Sequence, residues 1–253
     1  MDITYFELTD GACRVPCKAY RAGEGIPAKT VLCGHGFGGH RDNRAAETFA
    51  SRTLAKNPDA AVITFDWPGH GENTGETLSL AACAETLRLV IRGLRNQWPD
   101  TELYGYATSF GGYLFLKYIA AEGNPFRKAA FRCPAVDMHS VLTDAIMTEE
   151  NAADLAEGKT AMVGFDRKVA VTPAFLSELK EEDLNRYDLR KAAPELLILH
   201  GTQDEIVPFE SGKAFAGSNG IRFLPVEGAD HRFLDPRLMD GAVETMLAFL
   251  GLN

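Results

Sequence analysis

The sequence predicts an α/β protein, a mostly parallel, doubly wound sheet with helices on both faces. Three observations carry this expectation. Short continuous apolar runs, the pattern of strands buried on both faces, alternate with segments of helical spacing almost throughout the chain. The 253 residues, 45% of them hydrophobic, are enough for one large domain with a substantial core. One apolar run, Leu103 to Ala107, stops at a serine set among small residues, and helical spacing resumes just beyond it.

Taken in order, residues 1–22 alternate (Ile3, Tyr5, Leu8, then Val15, Cys17, Ala19) and predict two antiparallel strands joined at Asp10-Gly11. Thr30 to Cys33 and Ala61 to Phe65 are short apolar strands. Between them Arg44 to Lys56 is helical and ends at Asn57-Pro58. Leu78 to Trp98 predicts a longer helix, with Leu80, Cys83, Leu87, Val90, Ile91 and Leu94 on one face and Pro99 as its stop. The strand Leu103–Ala107 and a helix over Tyr113–Ala121 follow. Ala129–Cys133, Leu196–His200 and Arg222–Val226 read as further strands, and Pro236–Leu250 as a closing helix.

The alternation breaks after Asp137. Val141, Leu142, Ala145 and Ile146 form a helical stripe that Asn151 to Glu157 extends. Met162–Phe165 and Lys168–Val171 flank Asp166-Arg167 as a hairpin, and Pro173–Leu184 reads as a helix with proline in its first turn. Residues 137–189 are therefore expected to form a cap between core strands six and seven, with residues 1–136 and 190–253 as the core.

Composition narrows the function. A net charge of -9 and a pI near 5.2 repel phosphate backbones, so nucleic acid is not an expected partner. Five scattered cysteines lack the paired spacing of a zinc site and suit a reducing compartment. The N-terminus lacks a basic region followed by an apolar run, and no stretch approaches a membrane span. A soluble cytoplasmic protein is expected, with no membrane partner.

The chemistry is written in three places. Ala107-Thr108-Ser109-Phe110-Gly111-Gly112 has the layout of a nucleophile elbow, a strand-to-helix turn that holds a serine hydroxyl above the sheet. Such a turn needs small residues beside the serine, and Ala107 stands where glycine is usual. A serine needs a histidine base oriented by a carboxylate. Asp204 lies just beyond the Leu196–His200 strand and His231 just beyond Arg222–Val226, so Ser109, Asp204 and His231 each fall at a strand's carboxyl end. The oxyanion formed during attack needs donors. The glycines of Gly34-His35-Gly36-Phe37-Gly38-Gly39 allow the Phe37 N–H to work beside that of Phe110.

Gly34-x-Gly36-x-x-Gly39 also matches a dinucleotide fingerprint trailed by Asp66, and so carries a rival reading as a cofactor-binding oxidoreductase. That reading leaves Ser109, Asp204 and His231 unexplained, and Asp66 lies farther along than the usual ribose-binding acid. A non-catalytic scaffold is the second rival.

Together with Asp66-Trp67-Pro68-Gly69-His70-Gly71 and His200-Gly201-Thr202-Gln203-Asp204, these motifs resemble the α/β-hydrolase superfamily from about residue 28 to the C-terminus, apart from the cap. The resemblance implies the α/β-hydrolase fold, Ser109 as nucleophile, Asp204 as acid, His231 as base, and the Phe37 and Phe110 amides as the oxyanion hole. Within the superfamily the chain is similar to bacterial cinnamoyl (feruloyl) esterases in length, oxyanion loop and cap placement. Hydroxycinnamoyl and other short or aromatic acyl esters are thus candidate substrates, with peptidase, amidase and thioesterase chemistry as alternatives. Asn73, where serine often ends the Gly-His-Gly turn, is a second departure alongside Ala107.

Other ionisable residues take lesser roles. Asp137 is the alternative triad acid, His35 is read as structural, steadying the glycine loop, His139 and His200 as structural or cap-facing, and Asp230 as a turn former. No metal or nucleotide motif appears, so no cofactor is expected. Val141, Leu142, Ile146, Met162, Val163 and Phe165 are expected to wall an apolar acyl pocket or else to pack the cap onto the core.

Overall fold

The strands follow in chain order as β1 (Asp2–Asp10), β2 (Cys13–Arg21), β3 (Lys29–Gly34), β4 (Ala60–Phe65), β5 (Glu102–Thr108), β6 (Ala129–Arg132), the short pair β7 (Ala161–Val163) and β8 (Val169–Val171), then β9 (Leu196–Gly201) and β10 (Arg222–Val226). The computed structural model describes all residues 1–253. All strands but β7 and β8 join one sheet in the order β1-β2-β4-β3-β5-β6-β9-β10. From β4 to β10 every neighbouring pair is parallel; β2 runs antiparallel to β4, and β1 returns along β2 as a hairpin. The central strands are apolar and buried along nearly their whole length because both sheet faces are covered. β10 is an edge strand, which is where a sheet tolerates a residue like Pro225 that has no N–H.

The helices are α1 (Arg44–Lys56), α2 (Leu80–Gln97), α3 (Phe110–Glu122), α4 (Met138–Ser140), α5 (Glu149–Ala156), α6 (Pro173–Glu181), α7 (Phe209–Asn219) and α8 (Pro236–Leu250). α1 and α8 cover one face of the sheet, where Phe49, Leu54, Val243 and Met246 pack on Val31, Cys33 and Val62. α2, α3 and α7 cover the other, over Leu32, Ile63 and Phe65. Successive residues of β3 thus feed opposite cores, as the strand period requires.

The element order agrees with the sequence reading except for α7, which the reading did not name, and the boundaries shift for identifiable reasons. α2 starts at Leu80 instead of Leu78 because the Ser79 hydroxyl accepts from the Ala82 N–H and caps it. α3 starts three residues earlier than the apolar spacing suggests, so that Gly111 and Gly112 lie in its first turn. α6 ends at Glu181, and a 3-10 turn over Leu184–Arg186 completes the predicted Pro173–Leu184 helix.

Between β6 and β9 the chain forms α4, a π-helical turn at Val141–Ile146, α5, the antiparallel β7-β8 hairpin and α6. Its apolar residues are not a separate core. Val141, Leu142, Leu155, Val163, Phe175 and Leu179 belong to the same buried cluster as α2 and α3. No helix is long and apolar enough to cross a membrane.

Candidate active site

Ser109 occupies the turn between β5 and α3 at φ 51 and ψ -118, a backbone conformation that non-glycine residues seldom adopt. Its neighbours hold it there. The Ser109 N–H donates to the Arg132 carbonyl at 3.1 Å, and its carbonyl accepts from Tyr113 and Ala135 N–H groups, both at 3.1 Å. A Cβ on Gly111 would sit 2.6 Å from the His35 carbonyl oxygen, so the position after Phe110 admits only glycine. Ala107 is accommodated because its cross-strand partner is Gly34; a Cβ there would lie 3.3 Å from that of Ala107 and 2.8 Å from the Phe115 ring.

Asp204 follows β9 and is buried against His231, whose Nδ1 lies 2.8 Å from Asp204 Oδ2. A carboxylate only accepts, so Nδ1 carries the proton and Nε2 keeps a free lone pair. Backbone N–H groups of Ile206 and Val207 donate to Asp204 Oδ1 at 3.0 and 2.7 Å. His200 Nε2 lies 3.2 Å from Asp204 Oδ2 and 3.0 Å from the Val207 carbonyl, two acceptors that place a proton on that nitrogen. Burial alone would raise the Asp204 pKa; the donors from His200, His231 and Val207 outweigh it and hold the carboxyl well below the usual range. His231 and Ser109 line one cleft without a direct hydrogen bond between them, a bond that often tightens only when substrate is bound.

The Phe37 and Phe110 N–H groups donate to no backbone carbonyl, which leaves both free as anion donors. Their side chains meet edge to face at 5.8 Å, and Phe110 meets Phe175 of α6 the same way at 6.3 Å. Gly36 brings the loop close to the turn: a Cβ on it would lie 3.3 Å from Ser109 Cβ. Asp66 anchors this loop from below. It accepts from the Arg41 N–H at 2.7 Å, from Arg41 Nη1 at 2.9 Å and from the Glu72 N–H at 3.0 Å.

His35 and His70 brace the same region. The Trp67 Nε1–H donates to the His35 carbonyl at 3.1 Å, and the His70 ring stacks on Phe110 at 6.0 Å. Burial pushes His35 down to about 4 and, helped by the neighbouring His35, His70 down to about 3, from 6.5. The unfolded chain therefore takes up protons below pH 6.5 that the folded chain refuses. Stability should fall from pH 6.5 towards pH 4, by up to about 1.4 kcal/mol per pH unit for each ring. Thermal melts across this range should show the slope, and it should flatten in His70→Gln. An unchanged slope in that variant would contradict the assignment.

The structure decides between several alternative readings. The dinucleotide reading fails because α1 begins at Arg44, well after Gly39, and because Asp66 is buried in its ion pair with Arg41, out of reach of a ribose. Asp137 caps α4 through the Ser140 N–H at 3.1 Å and is not the partner of His231. Of the two readings of His200, structural or cap-facing, the structural one holds: the ring is wholly buried beside Asp204. The apolar acyl wall is also absent. Val141, Leu142 and Val163 are buried in the core, Met162 is exposed, and only Phe165 of the six lines the cleft. The alternative, packing of the insertion onto the core, describes Val141, Leu142, Val163 and the partly buried Ile146.

The cleft holding Ser109 and His231, about 560 Å³ in volume, is instead lined mainly by glycines and by polar or charged residues, with Arg44, Arg132, Arg167 and Arg232 on its walls. Sequence reasoning passed over all four. Arg132 had a signal, a charged residue ending an otherwise apolar core strand at the sheet's carboxyl edge. Cys133, His200 and Asp204 also bring ligand atoms within 4.8 Å of one another. Burial and the Asp204 charge push the Cys133 thiol well up, so the group holds a protonated thiol on a carboxylate already committed to His231.

Residues 30–242 match the model of the alpha/beta hydrolase family. The chain belongs to that family. Solved structures of similar fold include the esterase domain of a Rhodothermus marinus protein, 22% identical with a TM-score of 0.73 over 98% of both chains. Est1E from Butyrivibrio proteoclasticus is 17% identical with a TM-score of 0.74, over 98% of this chain and 99% of its own, and has also been solved with ferulic acid bound. The Pyrococcus furiosus esterase Pf2001 is 14% identical with a TM-score of 0.74, over 99% of this chain and 92% of its own. At these identities the likeness is one of fold. No curated protein sequence matches the chain.

Proposed function

We propose that this alpha/beta hydrolase cleaves carboxylic esters through an acyl-serine intermediate. The observation that carries the proposal is the 2.8 Å bond from His231 Nδ1 to Asp204, which leaves Nε2 unprotonated in the cleft that also holds the strained Ser109. His231 takes the Ser109 proton as the hydroxyl attacks the carbonyl carbon. The oxyanion is met by the Phe37 and Phe110 amides, which act without reorganisation because their loops are already braced. His231⁺ returns the proton to the leaving alcohol, and Asp204 stabilises the imidazolium meanwhile. Water then repeats the cycle on the acyl-enzyme, so protein groups and water carry every step.

Residues 137–189 act as a cap, since the β7-β8 hairpin places Phe165 and Arg167 on the cleft wall. The partner is a small-molecule ester in the cytoplasm. Hydroxycinnamoyl esters are candidates by analogy with Est1E, whose ferulic acid complex shares this fold.

A fluorophosphonate probe should label the protein, and the label should map to Ser109; an unlabelled protein would sink the serine-hydrolase reading. A panel of methyl ferulate, p-nitrophenyl acetate and butyrate, acyl thioesters and aminoacyl amides sets the leaving group and acyl class. If amides or thioesters turn over far faster than every ester, the esterase reading fails. If ferulate alone is ignored, only the hydroxycinnamoyl assignment falls.

A further inference from the structure

Arg132 is a buried cation without an anion. It ends β6 beside the elbow, paired in register with Thr108, and its backbone carbonyl holds the Ser109 N–H. The residue is only 7% exposed. Its Nη1 donates to the Arg232 carbonyl and approaches Met239 Sδ, each at 3.3 Å, and its guanidinium lies over the Phe233 ring at 5.0 Å. Nε is buried with no acceptor. No carboxylate pairs with it, although arginine is almost never this buried unless paired.

The surrounding cleft has the same sign. Arg44 and Arg167 form no ion pair, and the carboxylate nearest Arg232, Asp166 at 3.7 Å, is 90% exposed. Asp42, the other acid of the cleft, is occupied by Lys18 at 2.9 Å and by the Tyr5 hydroxyl at 2.7 Å. Arg44 stands at the first position of α1, where the helix dipole disfavours a cation. A chain with net charge -9 thus sets four arginines, three of them without an ion pair, around one serine. A cleft lined by one sign of charge concentrates ligands of the other.

We propose that the cleft recognises an ester bearing a carboxylate or phosphate, with Arg132 as the buried anchor for that anion and Arg167 and Arg232 at the rim. The inference rests on the ester-hydrolase reading and names its substrate class. The competing role for Arg132 is purely structural, bracing the His231 loop through the Arg232 carbonyl.

The test compares the p-nitrophenyl monoester of glutarate with the p-nitrophenyl ester of valerate, which matches it in length and lacks the charge. The wild type should favour the glutarate ester in kcat/KM by roughly tenfold to a hundredfold, the range of a charge-assisted contact. Added salt should erode that preference. In Arg132→Gln the glutarate-to-valerate ratio should fall at least about tenfold. The exposed pair Arg167→Gln/Arg232→Gln should lower the ratio as well, which keeps the test open if Arg132→Gln fails to fold. Equal wild-type turnover of the two esters would overturn the proposal. So would a ratio unmoved in the variants, the signature of a structural role.

Calorimetry with free glutarate and with inorganic phosphate needs no turnover and distinguishes the two anions. Heat of binding in a wild type that hydrolyses neither ester would sink the hydrolase reading and keep the anion site. Esterase activity with binding of neither anion would do the reverse.

Discussion

Replacing Ser109 by alanine should remove ester turnover, a loss on the order of 10⁶ in kcat if nucleophile and base act as one unit. The phenyl-side product of a p-nitrophenyl ester reads this directly. The fold should survive, because the turn is held by backbone bonds to Arg132, Tyr113 and Ala135 and not by the hydroxyl. Ser109→Gly should be equally inactive yet melt higher than the wild type, since glycine occupies φ 51 without strain. Turnover persisting in Ser109→Ala would mean that the cleft works by some other nucleophile.

Asp204→Asn should cost about 10⁴ in kcat. The Ile206 and Val207 N–H groups fix Oδ1 as an acceptor, so the new amide nitrogen must take the Oδ2 position facing His231. An N–H there forces His231 Nδ1 to accept, which moves the ring proton to Nε2 and removes the base. Asp137→Asn loses only a cap on a one-turn helix and should change kcat by about tenfold or less. The opposite ranking of the two variants would put the acid on the wrong strand. The Asp204 carboxyl, held low in the folded state, also contributes stability that is present above its ordinary pKa and is lost as the pH falls through the folded value.

Much of this was legible before any coordinates, because the signals are local. Buried parallel strands announce themselves as unbroken apolar runs, and Arg44–Lys56, Arg222–Val226 and Pro236–Leu250 run between the residues that the spacing names. Ser109, Asp204 and His231 could be placed because each follows such a strand. What escaped is non-local. The stripe of Val141 and Leu142 shows that a face is buried but not what buries it, so a wall for substrate and a seam with α2 and α3 looked alike. The pairing of His200 with Asp204 depends on a ring reaching sideways beneath a turn. The isolation of Arg132 can be seen only when every carboxylate that might have met it has been placed elsewhere. Even Ala107 needed its neighbour Gly34 across the strand before the departure made physical sense.

The threading of the sheet has a consequence for synthesis. β9 must lie beside β6, and yet residues 137–189 are made between them and fill part of the core that covers β5 and β3. A nascent chain carrying the serine elbow therefore has an open sheet edge at β6 and a half-covered apolar face until the insertion and β9 have emerged. Such long-range closure is slow, and unpaired edges are where chains associate wrongly. On the proposed mechanism the polypeptide thus makes its nucleophile early and its base last, so a chain interrupted before the final strand should be both inert and sticky.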